Sequence, residues 1–188
     1  MRRNIILSFA LLIFLGLVAS PANSQVPSGN AFFGYSYYNT NVSPLGRSNM
    51  NGWEGSLEGK VAPLLGLVAD FDGHYGSQTF NCEREGGSID CNTVFSANVS
   101  EYNVLFGPRL GVPIGRFRPF GEALIGVGHI NAGLAGSDTH FAAAFGGGLD
   151  YRIIRPLAWR FQLDYVRTSF FSASQSNVRF STGVVFRF

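Results

Sequence analysis

The chain has 188 residues, enough for one domain, with 24 Gly, 18 Phe, 46% hydrophobic residues and a net charge of +2. So small a charge gives no argument for a nucleic-acid binder. Abundant Phe and Gly without repeated long apolar runs point to many strands rather than to helices.

Residues 1–24 read as a secretory signal peptide. Arg2 and Arg3 give a positive start, Ile5 to Val18 form an apolar run broken by Ser8 and Gly16, and Ala19, Ser20, Ala22 and Ser24 follow as small residues. A transmembrane anchor is the rival reading, but the run falls short of the roughly 20 residues a spanning helix needs. Cleavage is expected before Gln25, with cleavage after Ala22 as second choice; no twin-arginine consensus surrounds the Arg pair. The mature part, 25–188, holds no second long apolar stretch, so no transmembrane helix is expected there.

About eight segments then alternate apolar and polar residues with period two, the strand signature. The first sets Phe33, Tyr35 and Tyr37 against Gly34 and Ser36. The second sets Trp53, Leu57 and Val61 against Glu54, Ser56, Glu58 and Lys60. In the third, Leu67, Ala69, Phe71 and Tyr75 oppose Asp70, Asp72 and His74. In the fourth, Tyr102, Val104, Phe106 and Leu110 oppose Glu101, Asn103 and Arg109. The fifth sets Ala123, Ile125 and Val127 against Glu122 and Gly126, with Leu124 on the polar side. The sixth sets Phe141, Phe145, Leu149 and Tyr151 against His140, Gly146, Gly148 and Asp150. The seventh sets Trp159, Phe161, Leu163 and Tyr165 against Arg160, Gln162 and Asp164. The last sets Val178, Phe180, Thr182, Val184, Phe186 and Phe188 against Arg179, Ser181, Gly183 and Arg187.

Connections alternate in length. Those around Pro63, Pro113 and Pro156 are short; those from Asn39 to Asn51, Gly76 to Thr93, Asn131 to Thr139 and Thr168 to Ser176 are longer and polar. Short turns at one end and long loops at the other are the pattern of an outer-membrane barrel. A soluble β-sandwich alternates too. Here the polar faces carry charges of both signs, the apolar faces carry none, and aromatics gather at strand ends. Tyr151, Trp159 and Phe188 fall on the short-turn side, and Tyr37, Tyr75, Tyr102 and Tyr165 on the long-loop side, as two membrane-interface girdles would. The expected fold is an all-β, eight-stranded antiparallel transmembrane barrel. It must close, because lipid offers no hydrogen bonds to a sheet edge, and side chains fill so narrow a lumen.

Cys82 and Cys91 flank a Gly86-Gly87 turn, and export puts them in an oxidising compartment. A disulfide at the tip of the second long loop is therefore expected, displaying Glu83, Arg84, Glu85 and Asp90 as a contact surface. Two cysteines without a nearby His make only half a metal site.

The final segment, Phe180 to Phe188, with alternating apolar residues, a Gly and a terminal aromatic, resembles the C-terminal assembly signal of outer-membrane barrels. The resemblance implies that Gly183, Val184, Phe186 and Phe188 are read by the barrel-assembly machinery. More broadly, Phe106-Gly107-Pro108-Arg109, Pro119 to Leu124, Phe145 to Asp150 and Asp164 to Thr168 resemble the OmpA-like superfamily, in its branch of outer-membrane protein β-barrel domains. These segments cover the C-terminal half; the N-terminal half agrees in pattern more than in words. The superfamily's members are structural proteins, adhesins or narrow pores, and the fold does not choose among them. The peptidoglycan-binding domain appended in larger members is expected to be missing.

No catalytic motif stands out, and no cofactor is expected. A lipid A hydrolase embedded in a barrel would carry a Ser, His and acidic triad on one outward face. His74, His129 and His140 form no such set, and His129-Ile130-Asn131 lacks a His-x-Ser-Asn motif. The three histidines are expected near the long-loop rim as solvated residues. Gly146-Gly147-Gly148 is no phosphate loop, since no Lys-Ser/Thr follows. Arg109 and Glu122 are expected to face the lumen on neighbouring strands, as a structural ion pair or a charged gate, the former being favoured. The expected role is therefore a structural or surface-interaction barrel, with a narrow pore as the alternative. Its expected partners are outer-membrane lipid, the assembly machinery and an unidentified extracellular ligand, but no nucleic acid.

Overall fold

The computed structural model of the chain describes residues 28–41, 47–80, 95–131, 136–170 and 173–188. The expected signal peptide and the expected Cys82–Cys91 disulfide, with the charged residues between the two cysteines, lie outside the described residues.

Eight strands follow in chain order: β1 (Gly29–Asn41), β2 (Arg47–Lys60), β3 (Leu65–Phe80), β4 (Phe95–Gly111), β5 (Phe117–Asn131), β6 (Ser137–Arg152), β7 (Leu157–Phe170) and β8 (Ala173–Arg187). Each pairs antiparallel with the next, and β8 returns to β1 to close the barrel. At that seam Gly34 faces Gly183. A Cβ on Gly34 would lie 2.3 Å from the Thr182 carbonyl oxygen, and one on Gly183 equally close to that of Phe33. The glycine pair lets the two strand backbones approach closely at the seam. Gly146 does the same between β6 and β7, since a Cβ there would meet the Asp164 carboxylate at 2.0 Å.

The alternation settles which face looks where. Phe33 is 67% exposed and Phe106 58%, while Arg109, Arg160 and Arg179 are 0% exposed. A soluble sandwich would show the reverse. A continuous exposed apolar wall far exceeds the few-hundred-Å² patches of soluble monomers and needs lipid around it. Leu124 points inward with the charged residues, and packs with Leu105, Val68 and Ala144.

Expectations about strand limits are corrected at three connections. The connection around Asn39 to Asn51 is mostly strand, with Asn39↔Asn49, Thr40↔Ser48 and Asn41↔Arg47 paired. Within Thr168 to Ser176 the strands pair from Thr168↔Gln175 as far as Phe170↔Ala173, and Asn131 pairs with Ser137. Polar composition had suggested loops, but an antiparallel ladder bonds backbone to backbone and continues into water regardless of side-chain polarity. Lys60, expected on the lumen face, is exposed, because β2 ends there.

Candidate functional site: a filled lumen and a raised rim

The lumen is a packed ionic core. In its short-turn half, Arg109 and Glu122 are ladder partners on β4 and β5, with Nε 2.5 Å from the Glu122 carboxylate. Arg109 also reaches Glu58 on β2 at 3.3 Å. Arg118 bonds Glu58 through both terminal nitrogens and lies 3.6 Å from Asp150. Arg160 holds Asp150 through two bonds of 2.7 and 3.1 Å, and Arg187 approaches the same carboxylate at 3.5 Å. The Arg160 guanidinium also sits between the Phe32 and Phe120 rings, 4.9 and 4.6 Å from their centroids. Glu58, Glu122 and Asp150 are thus met by four arginines.

The half toward the hairpins is built differently. Arg179 on β8 lies 2.7 Å from Asp70, 2.8 Å from Asp164 and 3.4 Å from Glu54, and bonds Asp72 as well. The Gln162 amide nitrogen lies 2.8–3.0 Å from Glu54, Glu122 and Asp164. Glu101 accepts hydrogen bonds from Tyr38 at 3.0 Å and from Asn103 at 3.4 Å. Four carboxylates therefore converge on one guanidinium, with a fifth held by neutral donors. Buried charges survive only when paired or well bonded. Here some partners are neighbours in the ladder, such as Asp150 and Arg160 or Asp164 and Arg179, and others reach across the barrel, such as Arg118 to Glu58 and Arg179 to Asp70.

His74 corrects the expectation of three solvated rim histidines: it is 0% exposed, stacked on Tyr38 at 4.6 Å, with Nε2 2.8 Å from Ser36 Oγ and Nδ1 3.2 Å from Asp72. Its place on an inward position of β3 sends it into the lumen. His129 and His140 lie outside, 2.6 Å from Thr139 and 3.0 Å from Asp138. Among the described residues no group of three or more His, Cys, Asp or Glu is arranged to hold a metal ion. The reading of single residues missed Arg118, Tyr38, Phe32 and Phe120. The signal was available: Arg118, Phe120, Glu122 and Leu124 continue one period-two series on β5, and all four are buried.

At the short-turn ends of the strands, Tyr151 pairs with Trp159, and Phe186 stacks on Phe188 at 6.5 Å. Gly183 sits on the inner face at the seam, whereas Val184, Phe186 and Phe188 are exposed on the outer wall. At the other end Tyr75 and Tyr102 meet edge to face at 5.8 Å with their hydroxyls 3.0 Å apart, and Tyr165 donates to Ser176 at 2.7 Å. Beyond that aromatic level the hairpins continue. β3 and β4 stay paired for five more rows, Gly76↔Val99 to Phe80↔Phe95, past the last rows that join them to β2 and β5. At the foot of this ribbon is a hollow of about 680 Å³ lined by Tyr75, Gly76, Ser77, Asn98, Val99, Ser100 and Asn131.

The profile of a family described as outer membrane protein beta-barrel domain matches residues 7–188. No curated protein is similar enough to count as a match. Among solved structures, Neisserial surface protein A superposes with a TM-score of 0.65 at 12% identity, covering 85% of this chain and 97% of that one. Ail, the attachment invasion locus protein of Yersinia pestis, solved with the heparin analogue sucrose octasulfate, gives a TM-score of 0.57 at 15% identity, covering 86% and 98%. At such identities the likeness is one of fold.

Proposed function

The chain belongs to the outer membrane protein beta-barrel domain family, and from that premise we propose that it is a non-conducting surface-interaction barrel. The short turns face the periplasm and the hairpins face outward, after removal of the 1–24 leader. The observation that carries the reading is the β3–β4 ribbon, which rises five paired rows above the closed barrel. Strand edges raised in this way, above a hollow lined by Asn98, Ser100, Ser77 and Asn131, can pair with an extended segment of another chain, since an unpaired edge is a template for strand addition. The closed ionic lumen supports the same reading against the narrow pore, and the separate settings of His74, His129 and His140 speak against a hydrolase.

The test is selection of a random peptide library on the refolded barrel in nanodiscs, against a variant whose hairpin is cut back to join Gly76 to Val99 by a short turn. Peptides retained by the full chain and lost with the ribbon support the proposal. Equal retention by both forms contradicts it.

A further inference from the structure

The short-turn end combines features that do not belong together on a water-facing surface. Its three turns run Lys60-Val61-Ala62-Pro63-Leu64, Val112-Pro113-Ile114-Gly115-Arg116 and Arg152-Ile153-Ile154-Arg155-Pro156. Each carries a pair of aliphatic residues and at least one cation. The aliphatic side chains are open: Val61 is 63% exposed, Ile114 61% and Ile154 58%. Lys60, Arg116, Arg152 and Arg155 are exposed as well. Among the described residues no acidic side chain is exposed at this end; Glu58 and Asp150 are buried in the lumen.

The second and third turns are tied together. The Arg152 backbone N–H donates to the Arg116 carbonyl at 2.8 Å, and the Arg152 side chain donates to the Gly115 carbonyl at 3.1 Å. These bonds hold Arg116 and Arg152 on one side of the barrel end, where the third turn also carries Arg155. Between the third turn and the end of β8 is a hollow of about 270 Å³, lined by Arg152, Arg155 and Arg187 together with Ile154, Pro156 and Phe188. Exposed arginine beside an apolar lining of Ile154, Pro156 and Phe188 matches a phosphodiester that carries acyl chains.

Depth agrees with this occupant. The Tyr151↔Trp159 row belongs to the aromatic girdle, and Arg152↔Ala158 is the next row outward. At roughly 3.3 Å per residue along a strand, Arg152 stands about 3 Å past the girdle, and the turns carry Arg116 and Arg155 beyond the strand ends. That is the layer between the hydrocarbon core and water, about 5–8 Å thick on each side. We infer that the short-turn end is a binding surface for anionic phospholipid in the periplasmic leaflet: Arg116, Arg152 and Arg155 hold headgroup phosphates, and the aliphatic turn residues enter the acyl boundary. Arginine suits this role because its planar fork binds phosphate oxygens in pairs. The inference rests on the proposed orientation of the barrel, and its test separates the two.

The full chain, refolded in vesicles of phosphatidylcholine with a minor fraction of phosphatidylglycerol and extracted in mild detergent, should retain phosphatidylglycerol above its bulk share. Arg116→Gln, Arg152→Gln and Arg155→Gln together should lower that enrichment by about fivefold or more, with heat-modifiability on gels unchanged. High salt should reduce it in the wild type. Enrichment equal in wild type and variant, or none in the wild type, overturns the proposal. Orientation is read independently in intact cells by labelling Ala62→Cys in a Cys82→Ser, Cys91→Ser background. Reaction with a membrane-impermeant reagent from outside would overturn the assignment to the periplasmic leaflet, while the vesicle result would still report on lipid binding itself.

Discussion

The two halves of the lumen solve the same problem in opposite ways. Toward the short turns, four arginines meet three carboxylates, and each carboxylate has a cation at 3.6 Å or closer. Toward the hairpins, Arg179 alone serves Glu54, Asp70, Asp72 and Asp164. The first half is a set of overlapping pairs, in which Glu58 and Asp150 each keep an arginine when another is lost. The second is a hub, in which the one arginine has no substitute. Redundancy of partners, more than the number of ion pairs, should therefore decide how each half responds to substitution.

The largest effect should come from the hub. Arg179→Leu leaves four buried carboxylates without their shared cation, and breaking a buried pair from one side costs about 3–5 kcal/mol. Urea unfolding of the barrel in detergent should show a loss of that order, or the folded form should fail to appear. A change below 1 kcal/mol would mean the cluster is not held by Arg179.

On the outer wall, Phe161→Arg tests the register that separates wall from lumen. A lipid-facing Arg near the bilayer midplane costs about 2–4 kcal/mol, so the heat-modifiable form should fall sharply in outer-membrane fractions. An unaffected level would place Phe161 away from lipid.

Smaller effects distinguish the two halves by the same chemical change. Glu58→Gln removes the acceptor shared by Arg109 and Arg118, each of which keeps one carboxylate. The expected loss is about 1.5–3 kcal/mol. Asp70→Asn removes one of four acids competing for Arg179 and should cost about 1 kcal/mol or less, or stabilise the barrel. A larger loss at Asp70 than at Glu58 in parallel unfolding titrations would reverse the comparison.

Much of this architecture was legible in the residues. The period-two series assigned Phe161 to the wall and Gln162 to the lumen, and the short Pro-bearing turns set the strand order. What period two does not contain is distance across the barrel. Nothing local to Arg179 says that Asp70 and Asp72, more than 100 residues away in sequence, will reach it; that follows only from closure and strand stagger. His74 shows the same limit. Its polarity suggested a solvated rim, but an inward position on a closed sheet buries it against Tyr38. The hairpin limits were hidden for another reason. Asn, Ser and Thr favour turns, yet at Asn39, Thr40 and Ser48 they sit in paired rows above the aromatic level.

The most direct test of the account is single-channel recording of the mature protein in a planar bilayer. Arg109, Arg160, Arg179, Tyr38 and Leu105 fill the lumen and are 0% exposed. The wild type should therefore show no steady conductance, and truncating the hub in Arg179→Ala should raise the frequency of brief openings wherever that variant folds. Stable, regularly sized openings of the wild-type barrel would contradict a sealed lumen and make the protein a pore.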